Sequence, residues 1–314
     1  MAVLSSQLFR GDQALNDALN KDPAHITPRT PSTHEAVGEH VSKIQDALFL
    51  LMHEVVIDHE EIRNRRYGPS TANAVLAYKQ KFNIVNRSYQ TAPDNIVGKM
   101  TMAKLDSDLH ALEGKFPQMI SNARIAAFQR CQAAHQRMVG LGPPGPPKRN
   151  DPNLAPKLRA LESARNIFDQ ANLELQDLDG DAPIPITVGK MKNILANPAL
   201  PTVNVLSSDP RSHLRAAFVV NSTPPIHLCP QFFATSDEER IRTLIHEAAH
   251  LAKIGDPQGE AYYSRHNCAN ETPDISIGAP TTTRRADQAD TWAKFVHCVS
   301  GQPPDRNNAD VIHR

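Results

Sequence analysis

The eight-residue run Gly140–Pro147 contains four prolines and three glycines, and it constrains the fold of this chain more than any other stretch. Proline has no amide hydrogen and clashes with the preceding helical turn, so the run cannot form a helix or a central strand. Its composition predicts a stiff linker. The chain has 314 residues, which is enough for two domains with cores of their own, and we expect the linker to separate them.

Before the linker, apolar residues recur at helical spacing in several places. Val41, Ile44, Leu48 and Leu51 follow the alternating spacing of a core-facing helix. We predict further helices that open at Pro69 and span 99–109 and 120–139. Residues 1–33 are polar, contain three prolines and show no sustained period, so they predict an N-terminal arm.

These helices resemble the peptidoglycan-binding-like three-helix domain. The matching residues are Ile44, Gln45, Leu48, Tyr67–Thr71, Ala74, Val75, Val97, Gly98, Thr101 and Leu105. We assign residues 34–115 to this domain and residues 116–152 to a helix and the linker. The family usually has a glycine-rich loop where this chain has Ile57–Arg66, and a common glutamine is replaced by Lys79. A spacer or docking module without affinity for the cell wall is therefore the alternative to a glycan-binding domain.

After the linker, the run His246-Glu247-Ala248-Ala249-His250 indicates a zinc site. Residues four apart lie on one face of a helix, so two imidazoles can occupy two corners of a tetrahedral zinc. Glu247 then lies beside the open position. Ser236–Glu239 forms a capping box, and Gly255 with Pro257 predicts the end of the helix. The alternative is a chance pattern on an ordinary core helix.

A catalytic zinc needs a third protein ligand, and two carboxylates are candidates. Asp256 lies six residues after His250, the spacing of some metzincins. Those enzymes have glycine three residues after the second histidine, where this chain has Lys253. Glu260 lies ten residues after His250 and is the preferred candidate.

The stretch that begins at Glu260 resembles the aspzincin metallopeptidases, in which HExxH precedes a turn and an Asp-x-x-Tyr sequence. The resemblance implies that Glu260 is the third zinc ligand and that Tyr263 donates a hydrogen bond to the oxyanion. Glutamate replaces the aspartate of the family here. Two more segments, Ile226–Phe233 and Gln288–Phe295, match the same family in the same order.

The second of these segments contains Asp290. In lysine-specific aspzincins, the corresponding aspartate and a glutamate three residues later receive a substrate lysine. This chain has Ala293 at that later position, so the resemblance implies only a mild bias toward basic residues. We interpret Phe232, Phe233, Trp292 and Phe295 as core residues.

The predicted fold class is α+β, with a zincin-like metallopeptidase domain over residues 153–314 preceded by the small three-helix domain. We expect a helix over 154–178, followed by a small sheet. The predicted strands are 184–188, 203–206, 214–220 and 226–229. A bridge between Cys268 and Cys298 and buried free thiols are equal alternatives for the cysteines.

Zero net charge and the absence of a basic block predict no nucleic-acid partner and no membrane insertion. The N-terminus does not resemble a secretory signal, so export by another route, a signal that has been removed and a cytoplasmic location are the alternatives. The expected function is a zinc-dependent endopeptidase that cleaves protein or peptide substrates at or beyond a bacterial envelope. Alternatives are a hydrolase of peptidoglycan stem peptides or antibacterial effector, a hydrolase of other amides, and a binding protein with a non-catalytic zincin domain.

Overall fold

The computed structural model describes residues 2–21, 24–28, 34–52, 55–88, 90–139, 154–168, 172–178, 182–203, 216–255 and 289–300. The helices in these ranges are α1 Gln13–Asn20, α2 Glu39–Leu51, α3 His59–Arg63, α4 Pro69–Lys81, α5 Lys99–Glu113, α6 Phe116–Val139, α7 Leu154–Phe168, α8 Pro183–Ala196, α9 Pro230–Ala234, α10 Asp237–Leu251 and α11 Ala289–Ser300. The strands are β1 Pro201–Val203, β2 Ala217–Val220 and β3 Thr223–Leu228, and they form one sheet in the order β1-β3-β2. Helices with a small sheet agree with the predicted α+β class.

The chain forms two compact units, and each unit is assembled from separate stretches of sequence. The first contains Met1–Met119, Val203–Ala216 and Leu228–Thr235. The second contains Ile120–Thr202, Ala217–His227 and Ser236–Arg314. The predicted boundary at the Gly140–Pro147 linker therefore does not coincide with the boundary between the units.

The predicted helices of the first unit are present. α2 packs against α4 and α5, and its predicted core positions Val41, Ile44 and Leu48 are fully buried. Pro69 is at the start of α4, where its missing amide hydrogen costs no intrahelical hydrogen bond.

The prediction of an N-terminal arm is wrong, because this segment is part of the core of the first unit. Leu8, Phe9 and Leu15 are fully buried, and α1 packs against α5. Two carboxylates of α5 bind the backbone of the segment: Asp106 accepts from the amides of residues 5 and 6, and Glu113 from those of residues 7 and 8. The buried residues lie partly in an irregular turn, which has no helical period to detect.

Ile57–Arg66, where the peptidoglycan-binding-like domain has a glycine-rich loop, contains α3. Its Glu61 is buried and accepts hydrogen bonds from the backbone amides of Ser70 and Thr71 at the start of α4. Lys79 is also buried and donates to Asp94 and to the carbonyl of Ile96. Both departures from the family pattern therefore have structural roles within the first unit.

Helix α9 belongs to the first unit, although its sequence is one of the segments that resemble the metallopeptidase family. It packs against α2, and the ring of Phe233 stacks on Phe116 with centroids 3.8 Å apart. Phe232 is fully buried. The prediction of core packing for both phenylalanines is confirmed.

In the second unit, two predictions of secondary structure are wrong. The predicted strand 184–188 lies within α8, because Pro183 starts a helix and Ile184, Val188, Met191 and Leu195 repeat on its buried face. The predicted helix 154–178 ends at Phe168, and a short 3₁₀ helix spans Leu175–Leu178.

The predicted strands at 214–220 and 226–229 correspond to β2 and β3. Of the predicted strand 203–206, Val203 is the last residue of β1, and residues 204–206 lie outside the described residues.

The core of the second unit is built around α10, which packs against α8, α11 and β2. α7 packs against α11, where Phe168 contacts the rings of Trp292 and Phe295. Both aromatic residues of α11 are buried, as predicted. Among the described residues, no helix combines the length and the apolar character needed to span a bilayer.

The cysteines divide into two kinds. Cys298 is disulfide-bonded, and Cys268, its partner in one of the two alternatives, lies outside the described residues. Cys131 and Cys229 are buried, and neither is part of a disulfide bond.

Candidate metal site

Helix α10 carries the predicted metal ligands, and its N-terminus forms as the sequence predicts. The side chain of Ser236 accepts a hydrogen bond from the amide of Glu239 at 3.2 Å, which caps the helix. The acidic first turn also suits the positive end of the helix dipole. The apolar face of the helix is buried and consists of Ile241, Leu244, Ile245, Ala248 and Ala252.

The two histidines of the motif lie on one face of α10, and their Nε2 atoms point toward each other. The distance between Nε2 of His246 and Nε2 of His250 is 3.0 Å, and the ring planes are 85° apart. Two imidazoles on one tetrahedral zinc have nitrogens about 3.3 Å apart, given Zn–N bonds of about 2.05 Å. The donor pair therefore fits two of the four positions around a zinc ion. The same distance also fits a direct hydrogen bond between the two rings.

His250 is oriented by the backbone that follows the helix. Its Nδ1 lies 2.9 Å from the carbonyl oxygen of Ile254. A carbonyl can only accept, so Nδ1 carries the hydrogen and Nε2 is the lone-pair nitrogen of the neutral ring. A hydrogen bond of this kind typically orients a histidine that binds a metal.

The helix ends differently from the prediction. We expected Gly255 and Pro257 to stop it, but the chain reverses at Lys253, whose φ is 75°. The amide of Ile254 donates to the carbonyl of Ala249, and the amide of Lys253 to that of His250. This is the Schellman arrangement, in which glycine is the usual left-handed residue.

Glu247, the predicted general base, lies beside the two histidines. Its side chain is buried, and its Oε1 lies 4.0 Å from Nε2 of His246.

Helices α10 and α11 pack against each other, and two pairs of residues interact between them. Nδ1 of His297 lies 3.4 Å from Oε1 of Glu238, and the charge of Arg242 acts on Lys294 one turn further along. Burial and the nearby Arg242 guanidinium lower the pKa of Lys294 to about 8.

A buried cluster at the other end of α10 was not predicted. The guanidinium of Arg130 on α6 binds both carboxylate oxygens of Glu238, and its Nη1 lies 3.3 Å from Nδ1 of His297. Burial acts to raise the pKa of Glu238, but hydrogen bonds from Arg130 and His297 outweigh it and lower the pKa to about 2. These three residues are far apart in sequence, so no local pattern indicates the cluster.

The remaining predicted site residues lie beyond the structural description. Asp256, Glu260 and Tyr263 fall outside the described residues, as does the side chain of Asp290. Within the ranges described, no three histidine, cysteine, aspartate or glutamate side chains are grouped to hold a metal ion. The third ligand, the oxyanion donor and the substrate carboxylate stay predictions.

Comparisons of the chain with protein-family models, with curated proteins and with solved structures give no match.

Proposed function

We propose that this chain is a zinc-dependent endopeptidase. The observation that supports the proposal most directly is the pair of Nε2 atoms 3.0 Å apart on one helix face, with the buried carboxylate of Glu247 beside them. His246 and His250 would hold the ion, and Glu260 completes the ligand set, with Asp256 as the alternative. The resemblance of the sequence to aspzincins supports the same assignment.

The chemistry then follows from the residues of the chain. A bound zinc supplies a Lewis acid that lowers the pKa of its water to about 7. Glu247 accepts a proton from the attacking water and delivers it to the departing amine nitrogen, which contributes roughly a hundred- to ten-thousandfold to the rate. Tyr263 donates a hydrogen bond to the oxyanion. The Nδ1–H of His250 keeps its ring in the orientation that directs Nε2 to the ion.

We propose a protein or peptide as the substrate, since the sequence resemblance is to endopeptidases, with peptidoglycan stem peptides as the second candidate. Asp290 is proposed to contact the residue after the cleaved bond, as the resemblance to the lysine-specific aspzincins implies. A role at or beyond the bacterial envelope is part of the same proposal.

The test combines metal analysis with turnover. We expect about one zinc per chain in the purified protein, no zinc in His250→Ala, and retained zinc without turnover in Glu247→Gln. His110→Ala serves as the control for adventitious binding, because His110 is exposed and on the first unit. Turnover would be followed on a denatured protein and on purified sacculi.

Two results would contradict the proposal. A wild-type protein that binds no zinc would indicate a direct hydrogen bond between the two imidazoles and a non-catalytic domain. Full activity of Glu247→Gln would remove Glu247 as the general base.

A further inference from the structure

We propose that the left-handed turn at Lys253 positions the metal site, because it brings the carbonyl of Ile254 to His250, and that the lysine side chain joins this turn to the β2–β3 hairpin. This inference deepens the proposed function and rests on it, since it concerns one of the proposed zinc ligands. It assigns a role to a residue that stands where a metzincin has glycine.

The first observation is the backbone conformation of Lys253. Its φ of 75° lies in the left-handed region, which residues with a Cβ atom rarely adopt. The reversal at this residue sends the following backbone back along the last turn of α10. The carbonyl of Ile254 thereby comes within 2.9 Å of Nδ1 of His250.

The second observation is the side chain of Lys253. Its ammonium group donates to the carbonyl of Ser222 at 3.0 Å. Ser222 lies in the two-residue turn of the β2–β3 hairpin, and both residues of that turn, Asn221 and Ser222, also have positive φ. The hydrogen bond therefore joins two turns that glycine usually occupies.

These contacts explain why a lysine is used where glycine would be less strained. Glycine would form the reversal without the steric cost of a Cβ atom, but it has no side chain to reach the hairpin. The ammonium group also lies at the C-terminal end of α10, where a positive charge is favourable. The side chain of Lys253 thus connects the end of α10 to the hairpin turn. Its backbone conformation places the carbonyl of Ile254 beside the ring of His250.

The consequence for the metal concerns the tautomer of His250. While Ile254 accepts from Nδ1–H, the neutral ring has its lone pair on Nε2, the atom that faces His246. Without the turn, the ring loses this partner and the opposite tautomer becomes accessible. Loss of such an orienting hydrogen bond typically weakens metal binding about ten- to a hundredfold.

Three variants distinguish the effect of the left-handed turn at Lys253 from that of the hydrogen bond between its ammonium group and Ser222. Lys253→Gly keeps the left-handed turn and loses the hydrogen bond to Ser222. His250 should therefore stay in the Nδ1–H form, with zinc affinity not lower than that of the wild type. Lys253→Met keeps the Cβ atom and loses the ammonium group, so the tautomer should be retained while amide exchange in the β2–β3 hairpin becomes faster. Lys253→Val strongly disfavours positive φ, so the Nδ1–H form should be lost and zinc affinity should fall about ten- to a hundredfold.

The measurements are nitrogen chemical shifts of the His250 ring in the metal-free protein and zinc affinity by competition with a chromophoric chelator. Asn83→Val is the matched control: Asn83 also has a positive φ, of 51°, but belongs to the first unit. It should lower stability without changing the tautomer or the zinc affinity.

An Nε2–H tautomer of His250 in the wild-type protein would overturn the inference, whether or not Lys253→Val folds. Wild-type tautomer and affinity in Lys253→Val would overturn it as well. A wild-type protein that binds no zinc would refute the proposed function, and the ring shifts would still decide whether Lys253 orients His250.

Discussion

At the scale of single residues, the charge on Glu238 depends on two partners from other helices. Its pKa of about 2 lies below the ordinary value of 4.5, so the folded state binds a proton less readily than the unfolded chain. The stabilisation that follows is fully present above about pH 4.5 and is lost as the pH falls to about 2. One pKa unit corresponds to about 1.4 kcal/mol, and the partial exposure of the carboxylate reduces the net effect to about 1–3 kcal/mol.

We therefore predict that Glu238→Gln is less stable than the wild type at pH 7 and that the difference shrinks between pH 4.5 and 2. Unfolding by denaturant, followed at several pH values for both proteins, measures it. Because other carboxylates titrate in the same range, the informative quantity is the difference between the two curves. A difference that stays constant over this range would show that the interaction with Arg130 and His297 does not depend on the charge of Glu238.

A second prediction at this scale separates the two candidates for the third zinc ligand. Glu260→Ala should weaken zinc binding strongly, since it removes a bond to the ion, while Asp256→Ala should have a mild effect through the electrostatics of the helix end. Chelator competition on both variants provides the comparison. The reverse ranking would favour the metzincin-like spacing over the aspzincin resemblance.

At the scale of secondary-structure elements, α9 shows how a short helix is held by its contacts. Five residues are too few to form a stable helix alone, so its conformation depends on the packing of its aromatic rings. Phe233 is 3% exposed and stacks on Phe116 of the same unit.

We predict that Phe233→Ala lowers the free energy of unfolding by about 3–5 kcal/mol, the usual cost of removing a buried phenylalanine ring. Amide exchange in α2, which packs against α9, should become faster. Val56→Ala is the control, since Val56 is 86% exposed and should change the stability by less than about 0.5 kcal/mol. Equal stability of the two variants would mean that α9 is not part of the core of the first unit.

At the scale of the whole molecule, both compact units contain residues from both sides of the Gly140–Pro147 linker. Residues 120–139 precede the linker and belong to the second unit, where Arg130 binds Glu238 and Arg137 donates to the carbonyl of Val299. Residues 228–235 follow the linker and belong to the first unit. Neither half of the chain is therefore a complete unit.

We predict that a protease site inserted between Gly142 and Lys148 can be cut without separating the two pieces. Size-exclusion chromatography and native mass spectrometry of the cut protein should find both pieces in one complex. Residues 149–314 expressed alone should not fold, because that piece lacks α6 and its contacts with α10 and α11. Two pieces that separate as folded monomers would restore the linker as a domain boundary.

The sequence by itself predicted the elements whose signals are local. The capping box at Ser236, the proline at the start of α4 and the helical spacing of apolar residues in α2 each depend on residues within one or two turns. The motif His246–His250 belongs to the same class, because four residues along a helix determine which side chains share a face. Its two imidazoles converge as the spacing predicted, although the metal itself stays a proposal.

The tertiary structure decided the rest, because the interactions concerned join residues that are distant in the sequence. A short apolar run such as 184–188 fits a strand or a helix equally well until its neighbours bury one face. The Arg130–Glu238–His297 cluster brings together three helices, and the side chain of Lys253 joins the end of α10 to the β2–β3 hairpin. The N-terminal segment is likewise part of the core through its packing against α5 and through two carboxylates of that helix. Local patterns predict which helices form, whereas burial and long-range pairing determine which stretches of chain form one unit.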